Sequence, residues 1–66
     1  MRITVNGEIR EVPDGCTLRD VVVSLGLGQA VCAAEVNKEA IPRRRHETTP
    51  IREGDSIEIV SLVGGG

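Results

Sequence analysis

Aromatic side chains are missing altogether: the 66 residues include no Phe, Tyr or Trp. A core built without them must rest on Ile, Val, Leu and Ala. The β-branched members of that set dominate, which favours sheet. Nucleic-acid bases would find no ring to stack on, and the eight Lys and Arg are scattered apart from Arg43-Arg44-Arg45. With a net charge of −2, this argues against a nucleic-acid partner. Cysteine is scarce as well. Cys16 and Cys32 are too few for a disulfide framework or an all-cysteine metal site. His46 is the only histidine, and no Cys or second His is spaced to share a metal with it. No apolar run approaches the length of a membrane span, and no signal peptide is evident at the N-terminus. A cytoplasmic location without a membrane partner is therefore expected. The length leaves no room for a second domain. A core this small yields about 3–5 kcal/mol of net stability. Such a chain can hardly enclose the ~300 Å3 that a catalytic pocket typically needs. No catalytic residue and no metal ligand is assigned, and the expectation is that the chain is not an enzyme.

The residues that are present divide into short, well-punctuated segments. Arg2-Ile3-Thr4-Val5 alternates with period two, Asn6-Gly7 follows, and Glu8 to Val12 continues. Asn-Gly between alternating segments signals a hairpin, because a type I′ turn needs positive φ at both central positions. Ile3 and Val5 would face the core. A two-residue turn sets Ile9 opposite Thr4 and Val12 on the core face, whereas a bulged three-residue loop sets Ile9 against Val5; both remain open. Pro13-Asp14-Gly15 is a turn, and Thr17 is placed to cap a helix with Asp20 in its first turn. Leu18, Val21, Val22 and Leu25 then follow at i, i+3, i+4 and i+7, and Gly26 suits the residue just past the end. That apolar stripe must be buried against the sheet. Cys16, just before the helix, is considered as a sulfur-accepting thiol, although a structural role is the preferred reading.

Val31 to Val36 reads as a strand, with Cys32, Ala34 and Val36 on one face and Val31 and Ala33 on the other. Val36-Asn37-Lys38-Glu39 echoes Val5-Asn6-Gly7-Glu8, which predicts a second similar turn with Lys38 in place of glycine. Pro42 marks an edge or a strand end. Arg43 to Pro50 reads as a polar connection without a strand pattern. A solvated loop is preferred there over a docking site for an acidic partner, with His46 partly packed over the core edge. After a tight turn at Ile51-Arg52-Glu53-Gly54-Asp55, Ser56 to Leu62 alternates with Ile57 and Ile59 inward. Val60 and Leu62 fall on the opposite face. They could cover a second layer, but with one helix to cover one sheet face, an exposed apolar patch that docks a partner is favoured.

This last strand runs through Val63 into Gly64-Gly65-Gly66. The expected organisation is a body over 1–63 and a flexible tail over 64–66. Glycine has no Cβ, so such a tail is thin and able to thread a narrow slot. Taken as the native end, Gly66 also offers an α-carboxylate free of side chains.

The order strand, strand, helix, strand, short strand, loop, strand, with the first and last strands parallel at the centre, is similar to the α+β ubiquitin-like β-grasp fold. With its Gly-Gly end, the chain resembles the ThiS family, the sulfur carriers of thiamine biosynthesis, from Met1 to Gly66. The resemblance rests on Val5-Asn6-Gly7-Glu8, Thr17-Leu18, Val36-Asn37, Ile41-Pro42-Arg43, Gly54-Asp55, Ile57-Glu58-Ile59-Val60 and Val63-Gly64-Gly65-Gly66. Lys38, for a common glycine, and His46, where the family often carries Trp, depart from it. The resemblance implies that a ubiquitin-activating-type adenylyltransferase (ThiF-like) joins AMP to the Gly66 carboxylate. A persulfide from a cysteine desulfurase system then turns Gly66 into a thiocarboxylate, which gives its sulfur to thiazole synthase (ThiG-like). Gly64 and Gly65 would thread the partner's channel, and Val60, Leu62 and Val63 would dock on it. Mg-ATP belongs to that partner, and this chain is expected to bind no cofactor. Carriers for molybdopterin, cysteine or tRNA thiolation, a ubiquitin-like protein modifier and a plain interaction module are the alternatives.

Overall fold

The computed structural model describes residues 1–62. The first hairpin pairs β1 (Arg2–Val5) with β2 (Glu8–Glu11) in antiparallel fashion, with Thr4 opposite Ile9 and Val5 opposite Glu8. The connection is therefore the two-residue turn. Asn6 at φ 52 and Gly7 at φ 83 both occupy the left-handed region that a type I′ turn requires. Ile3 and Val5 are buried, and Ile9 stands on the uncovered face, largely exposed. Val12 packs against the core from beyond the strand, and its N–H donates to the Met1 carbonyl at 2.9 Å.

Helix α1 (Leu18–Ser24) begins where its cap predicts. The Asp20 N–H donates to Thr17 Oγ1 at 3.3 Å, and the Thr17 N–H donates to Asp20 Oδ2 at 2.9 Å. This reciprocal pair satisfies two donors that the first helical turn would otherwise leave orphaned. Leu18, Val21 and Val22 are fully buried, and Leu25 is the C-cap, partly buried against the same core. Gly26, at φ 79, then takes the left-handed position that ends the helix.

Strand β3 (Cys32–Val36) turns through Asn37 and Lys38 into β4 (Glu39–Ile41), with Val36 opposite Glu39. This is the first turn over again: Asn37 lies at φ 52 and Lys38 at φ 71. Lysine thus holds a conformation that glycine takes at no steric cost. The last strand, β5 (Ser56–Ser61), lies parallel to β1 and antiparallel to β3, giving the order β2-β1-β5-β3-β4. Helix α1 covers one face, and the core beneath it gathers Ile3, Val5, Leu18, Val21, Val22, Ala34, Ile57 and Ile59 with Cys16, Cys32, Ile41 and Ile51.

One segment differs from the sequence expectation. Arg43–Thr48 is a 3-10 helix, not a solvated loop. Pro42, with φ fixed at −60, ends β4 and starts the tighter turn, and the Arg45 N–H donates to its carbonyl at 2.9 Å. The helix packs against α1 and buries His46, 3% exposed, whose Nε2–H donates to the Ile41 carbonyl at 3.0 Å. His46 is thus a satisfied core residue rather than one partly packed at the edge. In a core without aromatics it supplies the one buried ring.

Candidate functional site

The site is built around β5, because that strand leads to the glycine tail. It is held from both sides. On the β1 side, the Thr4 N–H donates to the Asp55 carbonyl at 3.0 Å and the Asn6 N–H to the Ile57 carbonyl at 2.8 Å. On the β3 side, the pairing runs from Val36 opposite Ile57 to Cys32 opposite Ser61, and the Leu62 N–H extends it to the Val31 carbonyl at 2.8 Å. Two asparagine side chains add to the ladder. Asn6 Nδ2 donates to the Ile59 carbonyl at 3.2 Å, and its Oδ1 accepts from the Ile59 N–H at 2.9 Å. Asn37 Oδ1 accepts from the Ser56 N–H at 3.0 Å, while its Nδ2 donates to Asp55 Oδ1 at 3.0 Å. The repeated Val-Asn of the two turns therefore has a purpose beyond the turns. Each asparagine tolerates the left-handed backbone; Asn6 imitates a missing stretch of strand by bonding both backbone groups of Ile59, while Asn37 divides its amide between the Ser56 N–H and the Asp55 carboxylate.

Along β5, Ile57 and Ile59 enter the core, while Val60 and, just past the strand's end, Leu62 are 59% and 60% exposed. Of the two possibilities left by the sequence, exposure is the one found. Ala33 lies opposite Val60, and Val31, also exposed, lies beside Leu62. These four residues form an apolar patch on the uncovered sheet face, at the end of β5 that continues to the tail. Sequence reading assigned Val60 and Leu62 to this patch but missed Val31 and Ala33. Their alternation with Cys32 and Ala34 was the available signal; their proximity to β5 depended on the order of strands. Of the other expected site residues, Val63, Gly64, Gly65 and Gly66 lie outside the described residues.

Cys16 sits where its thiol is favoured over its thiolate. It is 7% exposed, and burial, reinforced by the nearby Asp20 carboxylate, raises its pKa above the ordinary 9.0. Both effects disfavour the thiolate, which is the form that attacks sulfur. Burial and this shift both favour the structural reading of Cys16 over the sulfur-accepting one. Cys32 is buried on the core face, as an apolar residue would be.

Between α1 and the 3-10 helix lies a hollow of about 530 Å3, lined by Arg19, Arg43, Arg44, His46 and Glu47; it exceeds the volume so short a chain is expected to enclose, but it is open to solvent rather than closed over. Two of its guanidiniums have local work: Arg19 Nη2 donates to the Gly28 carbonyl at 3.0 Å and Arg43 Nη1 to the Ala30 carbonyl at 3.2 Å. They tie down the loop between α1 and β3. Among the described residues no three of His, Cys, Asp and Glu are grouped to hold a metal ion, and no helix is long and apolar enough to cross a membrane.

A mixed five-stranded sheet with its first and last strands parallel at the centre and one helix across a single face is the β-grasp architecture, so the chain is a ubiquitin-like α+β protein. The ThiS family model matches residues 3–66, and the chain belongs to that family. It is 34% identical over 64 residues to a sulfur carrier protein ThiS of Thermus thermophilus, covering 97% of this chain and 98% of that one. It is also 32% identical over 66 residues to a thiazole synthase of Paramagnetospirillum magneticum, covering all of this chain but 20% of that protein. The chain thus spans about a fifth of the length of that thiazole synthase. Among solved structures, a thiamine biosynthesis protein (ThiS) from Geobacter metallireducens superposes with a TM-score of 0.82 at 29% identity, with both chains fully covered.

Proposed function

We propose that this chain is a sulfur carrier that bears sulfur on the α-carboxylate of Gly66 and supplies it for thiazole formation in thiamine biosynthesis. One observation carries the reading. In a chain of the ThiS family, a central strand fixed on both sides leads, past an exposed apolar patch, directly toward three glycines. The chemistry follows from what a carboxylate lacks. It is a poor electrophile, and a mixed anhydride with AMP supplies a good leaving group. The activating partner, a ubiquitin-activating-type adenylyltransferase using Mg-ATP, forms that anhydride and releases pyrophosphate. The outer sulfur of a persulfide, fed by a cysteine desulfurase, attacks the acyl carbon and expels AMP. A thiol then takes the inner sulfur into a disulfide, leaving Gly66 as the thiocarboxylate.

The body's part is to bind and to aim. Val60, Leu62 and Val63 dock on the partner, and Gly64 and Gly65 occupy its channel because they carry no side chains. Ordering three glycines costs at least ~3 kcal/mol of backbone entropy at ~1–2 each. Burial of the docking side chains at roughly 1.5–3 kcal/mol apiece offsets it. Similarity over the whole chain to one fifth of a thiazole synthase supports such an enzyme as the acceptor. The test is to incubate the chain with its adenylyltransferase, ATP and a sulfur source and weigh it intact. The expected result is a gain equal to replacing one oxygen by sulfur. An unchanged mass contradicts the proposal.

A further inference from the structure

Next to the apolar patch, the register of β3 against β5 sets Glu35 directly opposite Glu58. Both are exposed on the uncovered face. Like charges at directly opposed positions of an antiparallel pair are destabilising, and strands ordinarily place a cation or a neutral side chain at one of the two. Among the described residues no ion pair compensates them. Glu35 has Ala40 opposite it on its other side. The ion pairs among the described residues join the N-terminus to Asp14 and Arg2 to Glu11, and involve neither glutamate. One register step toward the tail, the acidic pair gives way to Ala33 opposite Val60, and then to Val31 beside Leu62.

The geometry points to this combined surface, Glu35 and Glu58 bordering Val31, Ala33, Val60 and Leu62, as the recognition face for an arginine or lysine of the activating partner. The inference rests on the proposed function and adds to it the charge that selects the partner. One guanidinium or ammonium seated between the two carboxylates answers both at once, and the apolar patch beside it limits solvent screening. Charge complementarity also disfavours a second copy of this chain on the same face, since that would bring four carboxylates together. The patch ends at Leu62, four residues before Gly66 in the sequence, so a partner held here is close along the chain to the tail.

A carboxylate pair kept for binding has a signature that a structural pair lacks: its removal weakens the complex without weakening the fold. The experiment compares the full chain with Glu35→Gln, Glu58→Gln and the double variant. Affinity for the cognate adenylyltransferase is measured by calorimetry at low and high salt, thermal unfolding is followed on the free chain, and adenylation is followed by pyrophosphate release. The double variant is expected to bind at least tenfold more weakly, to lose much of the wild-type salt dependence, and to unfold at a temperature equal to or above that of wild type. Equal affinity and equal salt dependence, in a wild-type chain that is adenylated normally, overturn the inference alone. So does a free chain whose dimerisation depends on these two glutamates. A wild-type chain that releases no pyrophosphate overturns the proposed function beneath it.

Discussion

At the scale of single residues, two side chains hold positions that their chemistry makes costly, and each yields a measurable consequence. Lys38 occupies the left-handed region at φ 71. That conformation costs an L-residue about 1–2 kcal/mol, more than the extra backbone entropy of ~0.5–1 kcal/mol that glycine brings. Lys38→Gly is therefore expected to stabilise the chain by about 0.5–1 kcal/mol and to raise Tm by several degrees. A lower Tm would show that the Lys38 side chain contributes contacts that outweigh the turn. Cys16 is the second case. Its thiol is held above the ordinary 9.0 chiefly by burial. An acid whose pKa is raised on folding keeps its full contribution to stability below the unfolded value and loses it as pH climbs toward the folded one. Stability is thus expected to fall above about pH 9.0, the ordinary value at which an unfolded thiol ionises. Denaturant midpoints at pH 7 and pH 10 should lie closer together for Cys16→Ala than for wild type; an equal separation contradicts the assignment.

At the scale of elements, β5 is the part on which the others converge, and the Asn6 amide is one of its fixings. Asn6→Ala removes two side-chain hydrogen bonds to Ile59 and puts a residue less suited to φ 52 in the turn. With about 1 kcal/mol per bond and a further fraction for the turn, a loss of about 2–3 kcal/mol is expected. It should be accompanied by faster amide exchange in β5 ahead of the rest of the sheet. Uniform loss of protection would instead make Asn6 a general stabiliser with no special hold on this strand. The hairpin, the helix with its cap and the inward Ile57 and Ile59 were legible in the sequence because each is signalled within a few residues. The Val-Asn repeat was visible too, but its use was not, since Asn6 and Ile59 are 53 positions apart. The 3-10 helix at Arg43–Thr48 was missed for a different reason. Only His46 of its residues is buried, and one inward side chain in a polar run has no periodicity to detect.

At the scale of the whole molecule, the sheet has two unlike faces. One carries the helix and the entire core; the other carries the acidic pair and the apolar patch, and meets solvent. A body of this size has little stability to spare. It leaves Val60 and the adjoining Leu62 uncovered at the end of a strand that elsewhere buries Ile57 and Ile59. Under the proposed function that exposure serves docking, and the glycines serve entry into a channel. Gly65→Val is accordingly expected to preserve the fold, judged by an unchanged Tm, while lowering adenylation at least a hundredfold. Adenylation at the wild-type rate would remove the narrow channel from the account.

The most direct measurement is the location of the sulfur. After incubation with the adenylyltransferase, ATP and a sulfur source, fragment masses of the intact chain assign the added mass to a residue. Sulfur is expected in place of oxygen on Gly66, and none in the Gly65→Val chain. Sulfur found on Cys16 or Cys32, with Gly66 unchanged, would contradict the proposed function.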